Sequence, residues 1–114
     1  MKILNLILKK KWYNLIEQGI KTEEYREIKP YYSKKILYGC AFCERVECTV
    51  QCTMQTIEMS EYYQCKIVKL RLGYTKKYML FHIEKVIISK GKEEWGANPG
   101  QFYFVIKLGK RMEI

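Results

Sequence analysis

The chain opens with a regular alternation of apolar positions. Across residues 2–8, Leu4, Leu6 and Leu8 recur with a period of two, so their side chains lie on one side of an extended backbone. The positions between them include the polar Asn5. The pattern predicts a strand with one face against a hydrophobic core.

The period changes directly after this strand, over residues 10–18. Trp12, Leu15 and Ile16 recur at i, i+3 and i+4, which predicts a short helix with one apolar stripe. The stripe assigns Trp12 to the core rather than to a binding site. Gly19 follows where a left-handed residue commonly ends a helix.

A second strand is predicted over residues 21–28, just before Pro30 interrupts the extended pattern. Alternation places Glu24 and Arg26 on one face of this strand and Tyr25 on the other. The residues around Pro30 are expected to form a turn or a short helix. A carboxylate and a cation therefore share one face close to the end of the first helix.

Three further strands are predicted in the second half of the chain, over residues 66–72, 79–88 and 101–108. Glycines separate them, as is typical of turns. Five or six strands with one or two helices indicate an α+β fold, a small and mostly antiparallel β-barrel with flanking helices. The length of 114 residues suits one domain, residues 1–114.

The amino-acid composition limits which binding partners and which kinds of catalytic site the protein can have. There are 21 Lys and Arg residues against 12 acidic ones, a formal charge of +9, which favours polyanions such as nucleic acid. Every acid is glutamate and His82 is the one histidine, so neither a Ser-His-Asp triad nor an aspartate dyad can be built. No stretch is apolar for long enough to span a bilayer, and no secretion signal precedes Lys9–Lys11. We therefore expect a soluble, cytoplasmic protein without a membrane partner.

One motif joins the helix to the second strand, as Gly19-x-Lys21-x-x-Glu24-x-Arg26. It is similar to the GxKxxExR motif of ASCH domains, which belong to the PUA-like superfamily. The resemblance implies a PUA-like barrel with a cleft beside the motif. In that cleft, Lys21, Glu24 and Arg26 are expected to contact RNA or a nucleotide.

Three more segments carry the same resemblance in the same order. Residues 25–32 resemble the EYREIKPYW stretch of one bacterial and phage branch, while residues 91–97 and 103–109 resemble its EWGA and FVIKLG segments. The likeness therefore extends over both halves of the chain. One departure is Leu72-Gly73-Tyr74, where that branch usually has Asn-Gly-Tyr.

The side chains of the motif suit recognition of a nucleotide. Glu24 can accept hydrogen bonds from the exocyclic amine of a base, and Arg26 can hold a phosphate through two parallel bonds. Lys21 can reach a phosphate or, if burial lowers its pKa, act as a base. The alternative is a surface salt pair with little effect on stability.

Aromatic residues near the matched segments are candidates for stacking on a base. Tyr31 and Tyr32 follow the motif directly, and Trp95 lies in the EWGA segment. Stacking is sequence-tolerant, since every base offers a π-face. We therefore predict that these three residues bind the ligand together with the motif.

An enzymatic function is the first alternative. One branch of the superfamily hydrolyses N4-acetylcytidine with a motif lysine and a threonine three positions later. Glu24 holds the position of that threonine, so this amidohydrolase activity is not expected here. Other ASCH members are reported to cut RNA, which leaves a hydrolase of RNA or of a modified nucleoside, with Lys21 as base or electrostatic aid and Glu24 as proton shuttle.

The cysteines raise a further alternative, a zinc-binding or accessory interaction protein. Cys40, Cys43, Cys48 and Cys52 follow a C-x2-C-x4-C-x3-C spacing, and four thiolates can satisfy tetrahedral zinc or an iron–sulfur cluster. The second pair departs from the paired CxxC pattern of zinc knuckles. We therefore expect free or buried thiols and no cofactor.

Overall fold

The computed structural model describes residues 2–36 and 65–112 of the chain. In that part there are five strands, two helices and a 3-10 turn at Glu93–Trp95: β1 (Lys2–Leu8), α1 (Lys10–Glu17), β2 (Glu23–Glu27), α2 (Pro30–Ile36), β3 (Cys65–Leu72), β4 (Tyr78–Lys90) and β5 (Phe102–Met112). The predicted strands and the first helix are therefore confirmed, with ends that differ by a few residues. None of the described helices has the length and apolar character needed to cross a bilayer.

The described strands form one mixed sheet in the order β1-β3-β4-β5-β2. The pairs β3–β4, β4–β5 and β5–β2 are antiparallel, and β1 runs parallel to β3. An α+β fold built on a mostly antiparallel sheet is thus confirmed. The parallel pair was not predicted, because alternation indicates which face a strand buries and not which strand lies beside it.

The sheet curls so that its two edge strands approach each other. In a flat sheet, β1 and β2 would lie four inter-strand spacings apart, about 19 Å. Instead, the Arg26 guanidinium of β2 donates from Nη2 to the Ile7 carbonyl oxygen of β1 at 3.2 Å. Since one side chain spans the gap, the sheet is a half-barrel with an open seam between β1 and β2.

Helix α1 buries a different set of residues from the predicted stripe. Tyr13 and Ile16 are buried in the main core with the three leucines of β1. Trp12 and Leu15 are only half-buried. The expectation that Trp12 fills the core is therefore wrong, because its ring lies at the edge of the helix, against Gly96 of the β4–β5 loop.

Strand β5 is covered on both faces. Phe104 and Ile106 belong to the main core, while Tyr103 and Val105 belong to a second cluster on the other side of the sheet. The second cluster also contains Tyr25 of β2. Because β2 pairs with β5 at the sheet edge, this cluster anchors the motif strand from its opposite face.

Candidate functional site

A tight turn after α1 brings the motif to the edge of the sheet. Gly19 has a φ of +79°, the left-handed conformation expected at this helix end. The Leu15 carbonyl oxygen then accepts the N–H groups of both Ile20 and Lys21, at 3.0 and 3.1 Å. The chain can therefore leave the helix and enter β2 within a few residues.

The three charged residues of the motif meet in one cluster. Lys21 Nζ donates to Glu24 Oε1 at 2.7 Å, and Arg26 Nη1 lies 3.1 Å from Glu24 Oε2. The Tyr25 backbone N–H also donates to Glu24 Oε1, at 3.3 Å. One carboxylate thus lies between two cations, and the cluster carries a net charge of +1.

Lys21 lies beneath the surface rather than facing solvent. Its side chain is 0% exposed, and its Nζ also donates to the Glu23 carbonyl oxygen. The ammonium group lies 5.3 Å from the centre of the Tyr25 ring and 6.0 Å from that of Trp12. Burial lowers the pKa of Lys21, although the neighbouring Glu24 carboxylate opposes that shift.

Arg26 uses much of its hydrogen-bonding capacity inside the protein. Besides its contact with Glu24, Nη1 donates to the Tyr25 carbonyl oxygen at 2.7 Å, and Nη2 donates across the seam to Ile7. A guanidinium has five N–H donors, so two of them have no partner among residues 2–36 and 65–112. The two parallel bonds to a phosphate that its charge suggests would have to come from these remaining donors.

A cleft of about 410 Å³ opens above this cluster, beside the seam. Its volume lies within the range of about 300–1,000 Å³ that is typical of small-molecule sites. Five of the described aromatic residues line it: Trp12, Tyr25, Tyr32, Trp95 and Tyr103. The cleft therefore offers ring faces and ring edges to a flat ligand.

Positive and negative side chains are closer to balance in the lining of the cleft than in the whole chain. Among the described residues of the lining, the cations are Lys9, Arg26 and Lys29 and the carboxylates are Glu24 and Glu27, which leaves a net charge of +1. Glu27 is exposed, and its Oε2 lies 3.7 Å from Lys29 Nζ. Of these two carboxylates, Glu24 is the buried one, with a side chain 6% exposed.

The β4–β5 loop forms one wall of the cleft and is fastened by two buried tyrosines. The Tyr25 hydroxyl donates to Glu23 Oε1 at 2.8 Å and accepts the Lys92 backbone N–H at 3.0 Å. The Tyr103 hydroxyl accepts the Asn98 backbone N–H at 2.9 Å. Burial raises the pKa of Tyr25 above its ordinary value, so the hydroxyl stays protonated and keeps donating above about pH 10, where an exposed tyrosine would ionise.

The predicted site residues occupy three different positions relative to the cleft. Glu24, Arg26, Tyr32 and Trp95 line it. Lys21 supports Glu24 from below. Tyr31 lines a smaller neighbouring cavity instead, which Tyr32 also lines.

Sequence reasoning missed several residues that line the cleft. Trp12 was assigned to the core, and Asn98 and Tyr103 were assigned no role. Trp12 carried one usable signal, because it lies at the border of the helical stripe next to the charged Lys11. The others come from distant segments, and no local pattern links them to the motif.

The remaining candidates lie away from the cleft. Cys40, Cys43, Cys48 and Cys52 fall outside the described residues. Within residues 2–36 and 65–112, no group of histidine, cysteine and acidic side chains could hold a metal ion. His82 is exposed on β4, outside the lining of the cleft.

Comparison with known proteins gave no match. No family model, no curated protein and no solved structure is similar enough to this chain to be matched with it.

Proposed function

We propose that the protein is an ASCH-type domain with a PUA-like fold that binds RNA or a nucleotide in the cleft beside Gly19–Arg26. One observation carries the proposal: a buried carboxylate between two cations forms the floor of a cleft with aromatic walls. The likeness of the motif and of three further segments to ASCH domains supports the same function.

The floor of the cleft suits the edge of a nucleobase. Glu24 Oε1 already accepts Lys21 and the Tyr25 N–H, whereas Oε2 faces Arg26 and has a further lone pair. That lone pair can accept the exocyclic amine of cytosine, adenine or guanine. Uracil has no such amine, so it should bind more weakly.

The walls of the cleft suit the face of a base. Trp95 is half-buried, and the Lys92 ammonium lies 4.3 Å from the centre of its ring. Trp12 stands next to Gly96 in the same wall. A base stacked on one of these rings would gain about 1–3 kcal/mol.

Phosphate contacts would come from the cations of the cleft, Lys9 and Lys29, together with the free donors of Arg26. Since these cations are few, the binding constant should fall moderately as the salt concentration rises. The slope of log K against log[salt] should be about −0.7 for each phosphate that is contacted on a single strand. Affinity that does not change between low and high salt would count against this ligand class.

Isothermal titration calorimetry with the four ribonucleoside 5′-monophosphates tests the proposal. We expect binding of the amine-bearing bases, and a loss of about 5- to 150-fold in the Trp95→Ala variant, which is the stacking energy expressed as affinity. Tyr74→Ala is the matched control, because that ring is exposed outside the cleft. Equal losses in both variants, or equal affinity for all four bases, would contradict the proposed site.

A hydrolase is a second candidate, and the lowered pKa of Lys21 beside Glu24 favours it. Perturbed ionisable pairs cluster at catalytic sites. Since Lys21 is buried, Glu24 would be the group that contacts the substrate, and Lys21 would tune its charge. Incubation with RNA and with acylated nucleosides, followed by product analysis, should then show turnover that Glu24→Gln abolishes. Unchanged substrates would exclude this reading for those compounds.

A further inference from the structure

A second cavity of about 150 Å³ adjoins the cleft. The two cavities share Ile7, Arg26 and Tyr32 in their lining, so these residues form the wall between them. The second cavity is smaller than the roughly 300 Å³ at which sites for whole small molecules begin. It has room for one group of a larger ligand whose remainder lies in the cleft.

The two cavities differ in charge. The described lining of the small cavity contains two cations, Arg26 and Lys35, and no carboxylate. The cleft, in contrast, contains Glu24 and Glu27. Because a phosphate is repelled by a carboxylate and attracted by cations, the small cavity suits a phosphate better than the floor of the cleft does.

On the basis of the proposed function, we propose that the small cavity is a phosphate subsite and that the ligand is a single strand of nucleic acid rather than a free nucleotide. Lys9 and Lys29 line the cleft, Arg26 lies in the wall between the two cavities, and Lys35 lines the small cavity. A nucleotide inside a strand has a phosphate on each side of its sugar, and this arrangement provides cations for both.

Tyr31 extends the subsite along the same direction. Its ring is 57% exposed and meets the Tyr32 ring edge-on, with centroids 5.0 Å apart. The Lys35 ammonium lies 4.7 Å from the centre of the Tyr31 ring. A phosphodiester held by Lys35 would therefore place the next base of the strand beside an exposed aromatic ring.

The test compares ribonucleoside 5′-monophosphates with the corresponding homotrinucleotides by titration calorimetry at several salt concentrations. Wild-type protein should bind a trinucleotide at least tenfold more tightly than the monophosphate. Lys35→Gln should lower the affinity for the trinucleotide about 5- to 10-fold and leave the affinity for the monophosphate unchanged. It should also reduce the slope of log K against log[salt] for the trinucleotide by about 0.7. Lys35→Arg should keep most of the affinity, since it keeps the charge.

Lys110→Gln is the matched control, because it removes an exposed lysine that lines neither cavity. Trinucleotide and monophosphate that bind equally well, with no effect of Lys35→Gln, would overturn the subsite and leave the proposed function intact. A Lys35→Gln variant that loses affinity for both ligands with an unchanged salt slope would also overturn it, since that result indicates a damaged fold. No binding of any probe by the wild type would overturn the subsite and the proposed function together.

Discussion

Replacing Glu24 by glutamine removes the one carboxylate of the buried cluster and leaves its two cations facing each other. Lys21 then keeps only neutral acceptors, the new amide and the Glu23 carbonyl oxygen. At 2.7 Å, with both side chains nearly inaccessible, the lost Lys21–Glu24 attraction is about 4–6 kcal/mol at an effective dielectric constant of about 20. Breaking a buried pair by removing one partner typically costs 3–5 kcal/mol. We expect Glu24→Gln to lower the free energy of unfolding by about 3–5 kcal/mol at pH 7.

The pH dependence of this loss separates a charge effect from a packing effect. An unfolded lysine keeps its proton up to about pH 10.4, whereas burial lowers the pKa of folded Lys21, and loss of Glu24 lowers it further. Between the pKa of folded Lys21 and that of the unfolded chain, the unfolded state binds more protons than the folded state. The free energy of unfolding therefore rises with pH in that interval, by at most about 1.4 kcal/mol per pH unit. The deficit of Glu24→Gln should therefore shrink as the pH rises from 6.5 to 9.5.

Urea denaturation across that pH range measures the deficit, with Glu27→Gln as the control. Glu27 is exposed in its pair with Lys29, so its replacement should have little effect at any pH. The double variant Lys21→Met/Glu24→Gln should lose the pH dependence, because it has no buried ammonium group. A deficit that stays constant from pH 6.5 to 9.5, or one equal to that of Glu27→Gln, would refute the electrostatic reasoning.

Two further predictions concern the wall of the cleft. Tyr25→Phe removes a buried hydroxyl with two partners and should cost about 1–3 kcal/mol at pH 8. Because burial raises the pKa of Tyr25, the hydroxyl contributes its full stabilisation below about pH 10, and this stabilisation is lost progressively above that pH. Chemical denaturation should therefore show that the difference in free energy of unfolding between wild type and Tyr25→Phe shrinks towards pH 11. Gly96→Ala places a Cβ 2.9 Å from Trp12 Cζ2 at a φ of +98°, and should lower stability by about 1–3 kcal/mol and weaken ligand binding.

Both wall variants have a matched control. Tyr74→Phe changes an exposed tyrosine and should leave the alkaline denaturation profile as it is in the wild type. Gly100→Ala has a similar φ of +74° but no neighbour within 4 Å of the new Cβ, so it should cost less than Gly96→Ala and spare binding. A Tyr25→Phe difference that grows above pH 10, or equal costs at the two glycines, would contradict the assigned contacts.

Much of the fold was predictable, because each element follows a repeat along the chain. The period of two in residues 2–8 and 101–108 corresponds to β1 and β5, and the helical period in residues 10–18 corresponds to α1. The spacing of Lys21, Glu24 and Arg26 on one short segment is also a local property, and the structure brings their charged groups into contact.

Other features of the site depend on neighbours that are distant in the sequence. Arg26 reaches Ile7 across the seam, and the Tyr25 hydroxyl accepts an N–H from Lys92, 67 residues away. The first contact commits Arg26 to an internal partner, and the second fastens the β4–β5 loop, whose Gly96 lies against Trp12 in the cleft wall. No periodicity contains that information.

From its residues alone, then, the chain specified its strands, its first helix, its positive charge and the grouping of three charged side chains. The curling of the sheet settled which of those side chains meets solvent, and it created the second cavity beside Arg26. The physical reason is that backbone direction follows from near neighbours, whereas burial and access follow from the closure of edges that lie far apart along the chain.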